Sequence, residues 1–184
     1  MKTQGAMINS WGVGTNLITS SDWPAFGGVY KLAAIKNAGD EEYTPKIKLS
    51  ENTEKVTNPC NKTIYRIYDK ETGKIRADLD EKFDESEDMI LFDPLETWKK
   101  TKVLGGTYRL RELLVPIFQK GKCVYTSPSV MEIRDICIKE KETLWEESKR
   151  LVNAQTVYVD LSDKLYRIKT DLLEETSLKS LENN

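Results

Sequence analysis

Six residues near the N-terminus, Ser10-Trp11-Gly12-Val13-Gly14-Thr15, have the types and spacing to hold an anion. Two glycines let the backbone turn tightly and let a ligand approach with no Cβ in the way. Successive N–H groups in such a turn form an anion-binding nest. A helix starting just after it adds its positive end and its unpaired N–H groups, and the Thr15 hydroxyl can donate to a phosphate oxygen. The candidate phosphate-binding residues are therefore Gly12, Gly14 and Thr15. The pattern is not a dinucleotide fingerprint, whose third glycine would fall at Leu17, nor a nucleoside-triphosphate loop, since no Gly-Lys-Ser/Thr follows. A plain strand-to-helix turn accounts for the same residues equally well.

Absences bound the chemistry as firmly. The 184 residues include no histidine, which excludes Ser-His-Asp and Cys-His catalysis, a His-Glu-x-x-His metal site and a phosphorylated histidine on this chain. Cys60, Cys123 and Cys137 are scattered rather than paired at zinc-ligand spacing, and read as reduced, structurally buried thiols of a cytoplasmic protein. No catalytic or metal-ligating residue is expected on this chain. Asp22 could order magnesium or a ribose, but a local turn role fits a loop carboxylate better. Trp11 and Trp23 flank the bend and could stack on a ring; core packing is the better account of Trp11. Trp98 and Trp145 read as packing residues, and Lys31 and Lys36 receive no role. The acidic run at residues 80–88 lacks the glycine and spacing of a calcium loop and reads as a solvated loop.

The elements that must position the bend are then read from periodicity. Residues 2–5 resemble the tail of a helix, residues 6–11 a buried strand, and residues 16–20 a short helix, so residues 1–26 form one βα unit. Beyond them, residues 28–36 and 45–50 flank a polar loop at 37–40 as a hairpin. A second hairpin pairs residues 62–69 with 75–79 across a turn at 71–74. Residues 89–92 and 107–114 and the flanks of Lys120-Gly121-Lys122 give further strands. Ser129-Val-Met-Glu132 is a capping box that opens a helix to about Leu151, with a stripe of Val130, Ile133, Ile136, Cys137, Leu144, Trp145 and Leu151 interrupted at Glu140 and Lys141. Ser162 caps a last helix carrying Leu165, Ile168 and Leu172, fraying from residue 177. Hydrophobic residues at 39%, charged residues at 32% and a net charge of -2 describe a soluble domain with no electrostatic reason to bind nucleic acid or an anionic membrane. No apolar run approaches the roughly 20 residues of a membrane span, and residues 1–10 lack a signal-peptide pattern.

Beyond the glycine bend itself, Ile8-Asn-Ser-Trp-Gly-Val-Gly-Thr15, Asp22-Trp-Pro24 and Gly27-Gly-Val-Tyr-Lys-Leu32 closely resemble the C-terminal barrel segment of nicotinate phosphoribosyltransferases. Tyr65-Arg-Ile-Tyr-Asp69, Asp93-Pro94, Arg111-Glu-Leu-Leu-Val-Pro-Ile-Phe118, Ser127-Pro-Ser-Val130, Leu144-Trp145 and Val159-Asp-Leu-Ser162 continue the resemblance in order over nearly the whole chain. It implies an α/β fold: residues 1–26 are the last βα unit of a TIM-like phosphoribosyltransferase barrel, and residues 27–184 an α+β module of antiparallel hairpins and two helices.

The resemblance also implies a reaction. Nicotinate and phosphoribosyl pyrophosphate give nicotinate mononucleotide and pyrophosphate, with ATP hydrolysis coupled through a phosphorylated histidine and Mg2+ as the metal. Gly12, Gly14 and Thr15 would hold the 5-phosphate. Family members are longer, and their nicotinate-binding residues and histidine lie ahead of this region. The resemblance therefore implies a fragment, a truncated copy or one half of a split enzyme, inactive alone, whose partner is the missing N-terminal half or a homodimer mate. Ile8, Trp11, Leu17 and Ile18 would then lack the barrel strands they pack against, losing roughly 1.5–3 kcal/mol of burial each. The alternative is a non-catalytic phosphate-binding, phosphosugar-binding or interaction module.

Overall fold

A computed structural model of the chain describes residues 5–22, 24–25, 30–50, 55–96 and 98–182. The helix tail expected at residues 2–5 lies mostly outside them, as do Trp23 and the start of the first hairpin. The chain divides into two compact units, Met1–Lys31 and Leu32–Asn184.

In the first unit, residues 6–11 form no strand, against expectation. A strand exists by pairing its N–H and C=O groups with a neighbour, and no described segment of this unit supplies one. The short helix is present as α1, Thr15–Ile18, one residue earlier than expected.

The second unit is built on a six-stranded sheet. A small hairpin, β1 (Ala34–Ile35) with β2 (Thr44–Pro45), precedes it and is shorter than its sequence pattern suggested. The sheet strands are β3 (Tyr65–Asp69), β4 (Ile75–Leu79), β5 (Met89–Phe92), β6 (Lys100–Val103), β7 (Tyr108–Glu112) and β10 (Val159–Ser162), in the order β6-β5-β10-β4-β3-β7. Between β7 and β10 lie the hairpin of β8 (Phe118–Gln119) and β9 (Lys122–Cys123) and the helix α2, Val130–Glu142. Lys120 and Gly121 both take positive φ, 48° and 76°, as a two-residue turn matched to strand twist requires. Helix α3, Asp163–Glu182, follows β10 directly and runs on through the stretch expected to fray.

Asp69 explains why β3 turns into β4. Its carboxylate accepts the N–H groups of Glu71 (3.1 Å) and Thr72 (2.8 Å) and the Thr72 hydroxyl (2.9 Å), and Gly73 supplies the left-handed residue at φ 69°. All sheet pairs are antiparallel except β10 with β4, where Val159 stands opposite Asp78 and Asp160 opposite Leu79. Ile67, Ala77, Leu79, Met89, Leu91, Val103 and Tyr108 form the main core, with Phe83 against it. A second cluster joins Phe92, Leu161 and Leu165, with Tyr166 stacked on Phe92 at 4.2 Å.

Residues 80–88 are mostly exposed but not merely solvated. The Tyr108 hydroxyl donates to the carbonyls of Asp84 (2.8 Å) and Glu87 (3.0 Å), and Glu85 accepts the Leu110 N–H (2.7 Å). The loop is thus fastened over the core. Helix α2 begins with the expected capping box but ends at Glu142, well before Leu151. Lys74 takes the carbonyls of Glu142 and Leu144, Ile75 donates its N–H to Thr143, and the Trp145 indole donates to the Ile75 carbonyl, so β4 captures the chain there. Its apolar stripe is exposed rather than buried. What holds α2 is the polar interruption: Glu140 is gripped by Arg111 from β7 and reached by Arg66 from β3.

Candidate functional site

The glycine bend leads into α1 through Gly14, whose backbone is extended at φ -127° and ψ -160°. The Gly14 carbonyl accepts the N–H groups of Leu17 (3.1 Å) and Ile18 (3.3 Å), and the Thr19 hydroxyl donates to the Thr15 carbonyl (2.8 Å). Among the described residues, no protein acceptor is recorded for the N–H groups of Gly12, Val13, Gly14, Thr15 or Asn16. A Cβ at Gly12 or Gly14 would meet no atom within 4 Å, and neither glycine has positive φ. Within this chain, then, neither crowding nor backbone strain demands glycine at these positions.

Gly12, Gly14 and Thr15 lie on one exposed stretch. The bend does not bring in the other residues weighed for the site. Asp22 is exposed. Trp11 is half exposed rather than packed in a core. Lys36 donates to the Glu41 carbonyl (2.8 Å) beside its own hairpin. Trp98 is also exposed, with the Lys99 ammonium 5.2 Å from its ring centre, so its expected packing role does not hold here; Trp145 is fixed by its bond to Ile75. Cys123 and Cys137 are exposed, against the expected burial, while Cys60 is partly buried and burial pushes its thiol up. The described residues gather no group of three or more His, Cys, Asp or Glu side chains that could hold a metal ion.

Two polar assemblies in the second unit were not read from the sequence, apart from the expected capping of the last helix by Ser162. In the first, Asp80 accepts the N–H (2.7 Å) and hydroxyl (3.1 Å) of Ser162, and the Ser162 oxygen accepts the Leu165 N–H (3.1 Å) to cap α3. Burial raises the Asp80 carboxyl, with the Ser162 bonds opposing it. In the second, Arg66 makes a two-pronged pair with Asp78 (2.7 and 2.8 Å), while Arg111 does the same with Glu140 (2.6 and 2.9 Å). The bond to Asp78 raises Arg66, and the bond to Arg111 lowers Glu140. Cross-strand register places Arg66 opposite Arg111 and could have flagged a counter-ion, but nothing local in the sequence names Glu140, 29 residues on.

Comparison with known proteins bears on the whole chain. A family model described as the nicotinate phosphoribosyltransferase C-terminal domain matches residues 61–169. A nicotinate phosphoribosyltransferase from Bacillus subtilis is 36% identical over 179 residues, covering 95% of this chain and 36% of that protein. Nicotinate phosphoribosyltransferase 2 from Arabidopsis thaliana is 33% identical, covering 90% of this chain and 29% of its own length. The chain spans about a third of the length of the relatives it matches. The crystal structure of human nicotinic acid phosphoribosyltransferase superposes with a TM-score of 0.51 at 21% identity, over 62% of this chain and 23% of the human one, which establishes likeness of fold. With the C-terminal domain matched over more than half its residues, this chain belongs to the nicotinate phosphoribosyltransferase family.

Proposed function

We propose that this chain supplies the C-terminal part of a nicotinate phosphoribosyltransferase acting in NAD biosynthesis in the cytoplasm. In that reaction the nicotinate ring nitrogen bonds to C1 of the ribose and pyrophosphate leaves, with ATP hydrolysis coupled to the transfer. The observation that carries the reading is the alignment of the Bacillus subtilis relative over 95% of the chain, which leaves too few residues uncovered to miss Gly12–Thr15. Gly12, Gly14 and Thr15 hold the 5-phosphate of the phosphoribosyl group. N–H groups with no acceptor among the described residues, and two glycines that the packing of those residues does not require, support this role. Their work is positioning and charge neutralisation, which serve a transfer reaction by fixing the reacting carbon. Residues 1–26 act as the closing βα unit of the barrel once the rest of the fold is present. The chain has no histidine to phosphorylate, so the barrel supplies the nicotinate site, the histidine, and the ATP and Mg2+ sites, and this chain alone makes no product.

The test is reconstitution. Co-expression with the N-terminal two-thirds of the Bacillus subtilis relative should give nicotinate mononucleotide from nicotinate, phosphoribosyl pyrophosphate and ATP. Gly14→Val in this chain should remove that activity, chiefly by raising KM for phosphoribosyl pyrophosphate. Product from the chain alone, or none from a soluble pair, would overturn the proposal.

A further inference from the structure

The second unit contains a carboxylate with no counterpart. Asp160, in the central strand β10, is 7% exposed. It accepts no hydrogen bond and meets no cation among the described residues. It lines a cavity of about 410 Å³ with Ala77, Leu91, Trp145, Gln155, Thr156 and Tyr158. The cations around this cavity and the smaller one beside it are already committed: Arg76 to Asp69, Lys102 to Asp88, and Lys99 to Glu96. Asp93, across the smaller cavity, is also an acid, and its own carboxylate accepts the N–H groups of Leu95 and Glu96. Burial, with Asp93 adding to it, pushes the Asp160 carboxyl above its ordinary range. A buried carboxylate needs either a proton or a partner, because an unpaired one costs several kcal/mol.

We propose that this cavity is a binding site for a small organic cation, an amine, amidine or guanidine, whose charged nitrogen pairs with Asp160. The volume falls in the range of roughly 300–1,000 Å³ typical of small-ligand sites. Trp145 forms an apolar wall, fixed in place by its indole bond to the Ile75 carbonyl. Gln155 and Thr156 add oxygen acceptors for the remaining N–H groups of the ligand. The site lies wholly in the second unit and does not depend on the phosphate role given to the glycine bend.

Benzamidine and its neutral isostere benzamide are suitable probes of the full chain at pH 7, followed by saturation-transfer NMR and by amide shifts in 15N-labelled protein. Benzamidine should bind, with shifts confined to Trp145, Gln155, Thr156, Tyr158 and Asp160, and benzamide should bind at least tenfold more weakly. Asp160→Asn keeps the side-chain size and removes the buried charge; it should fold and should lose at least tenfold in benzamidine affinity. Equal affinity in the variant, equal binding of benzamide, no saturation transfer at millimolar benzamidine, or shifts centred elsewhere would each overturn the proposal. The shift map and the benzamide comparison use wild-type protein and stand whether or not the variant folds.

Discussion

Among the described glycines, Gly105 is the position where a single methyl group should do most damage. A Cβ built there falls 2.0 Å from the Ser86 carbonyl oxygen, 2.5 Å from the Ser86 carbonyl carbon and 2.9 Å from the Glu87 carbonyl carbon. These are backbone atoms, so no rotamer change relieves the contact. In Gly105→Ala either the 105–106 turn or the acidic loop must move by more than an ångström. That loop is held by the Gly105 N–H on Asp88 (2.9 Å), the Gly106 N–H on the Glu85 carbonyl (2.6 Å) and the two bonds from Tyr108. Overpacking costs about 1–3 kcal/mol, and losing two such bonds adds about 1 kcal/mol each. The sum is about 3–5 kcal/mol, or roughly 6–20 °C in Tm at about 2–4 °C per kcal/mol for a chain of this size. Urea unfolding followed by tryptophan fluorescence measures the loss, and hydrogen exchange at residues 84–88 should show the loop released. Tyr108→Phe is the internal comparison, losing only the hydroxyl bonds at about 1–3 kcal/mol. Destabilisation of Gly105→Ala by less than about 0.5 kcal/mol would refute the reasoning, because the loop would then not be held against the turn.

Asp69 is held down to about 2, first by the Thr72 N–H and then by Arg76. Its contribution is therefore present above the ordinary aspartate range near 3.9 and is lost as pH falls through about 2. Asp69→Asn should cost about 1–3 kcal/mol at pH 7, and acid titration of both proteins should show the difference closing near pH 2. Asp160 has the opposite sign: with its folded carboxyl raised, wild-type stability is lost as pH rises through that folded value. Asp160→Asn should then be the more stable protein at pH 7 in urea melts, and the gain should disappear toward pH 3.9 and below. Ser162→Ala removes the cap of α3 and the hydroxyl, one of the two donors that Ser162 gives Asp80. The variant keeps its N–H but loses the hydroxyl, and a loss of about 1–3 kcal/mol by calorimetry is expected.

The parts legible in the sequence were those governed by neighbours in the chain. Asp69, Thr72 and Gly73 write their turn into adjacent positions, the Ser129–Glu132 box marks the start of α2, and Lys120-Gly121 marks a two-residue hairpin. Strands β6 and β10 were missed for two different reasons. Lys100-Thr-Lys-Val103 is an edge strand with three exposed residues and so has no apolar alternation to read. Val159-Asp-Leu-Ser162 buries an aspartate and a serine, and its partners lie about 70–80 residues earlier. The length of α2 was misjudged because its end is fixed by β4 through Lys74 and Trp145 rather than by its own residues. At the site, the glycine bend is a local pattern and can be named from the chain alone; the counter-ions of Arg66 and Arg111 and the isolation of Asp160 depend on register between distant strands and cannot.

The placement of β10 has a consequence for how the polypeptide reaches this arrangement. The β6-β5 hairpin and the β4-β3-β7 trio are joined as one sheet only through β10, which follows all five of those strands in the chain. A nascent chain stalled before residue 159 would hold two half-sheets with facing raw edges, open to pairing with other chains. A slow, late closing step that releases binding by a chaperone only after α3 has emerged is the expected kinetic signature of this topology.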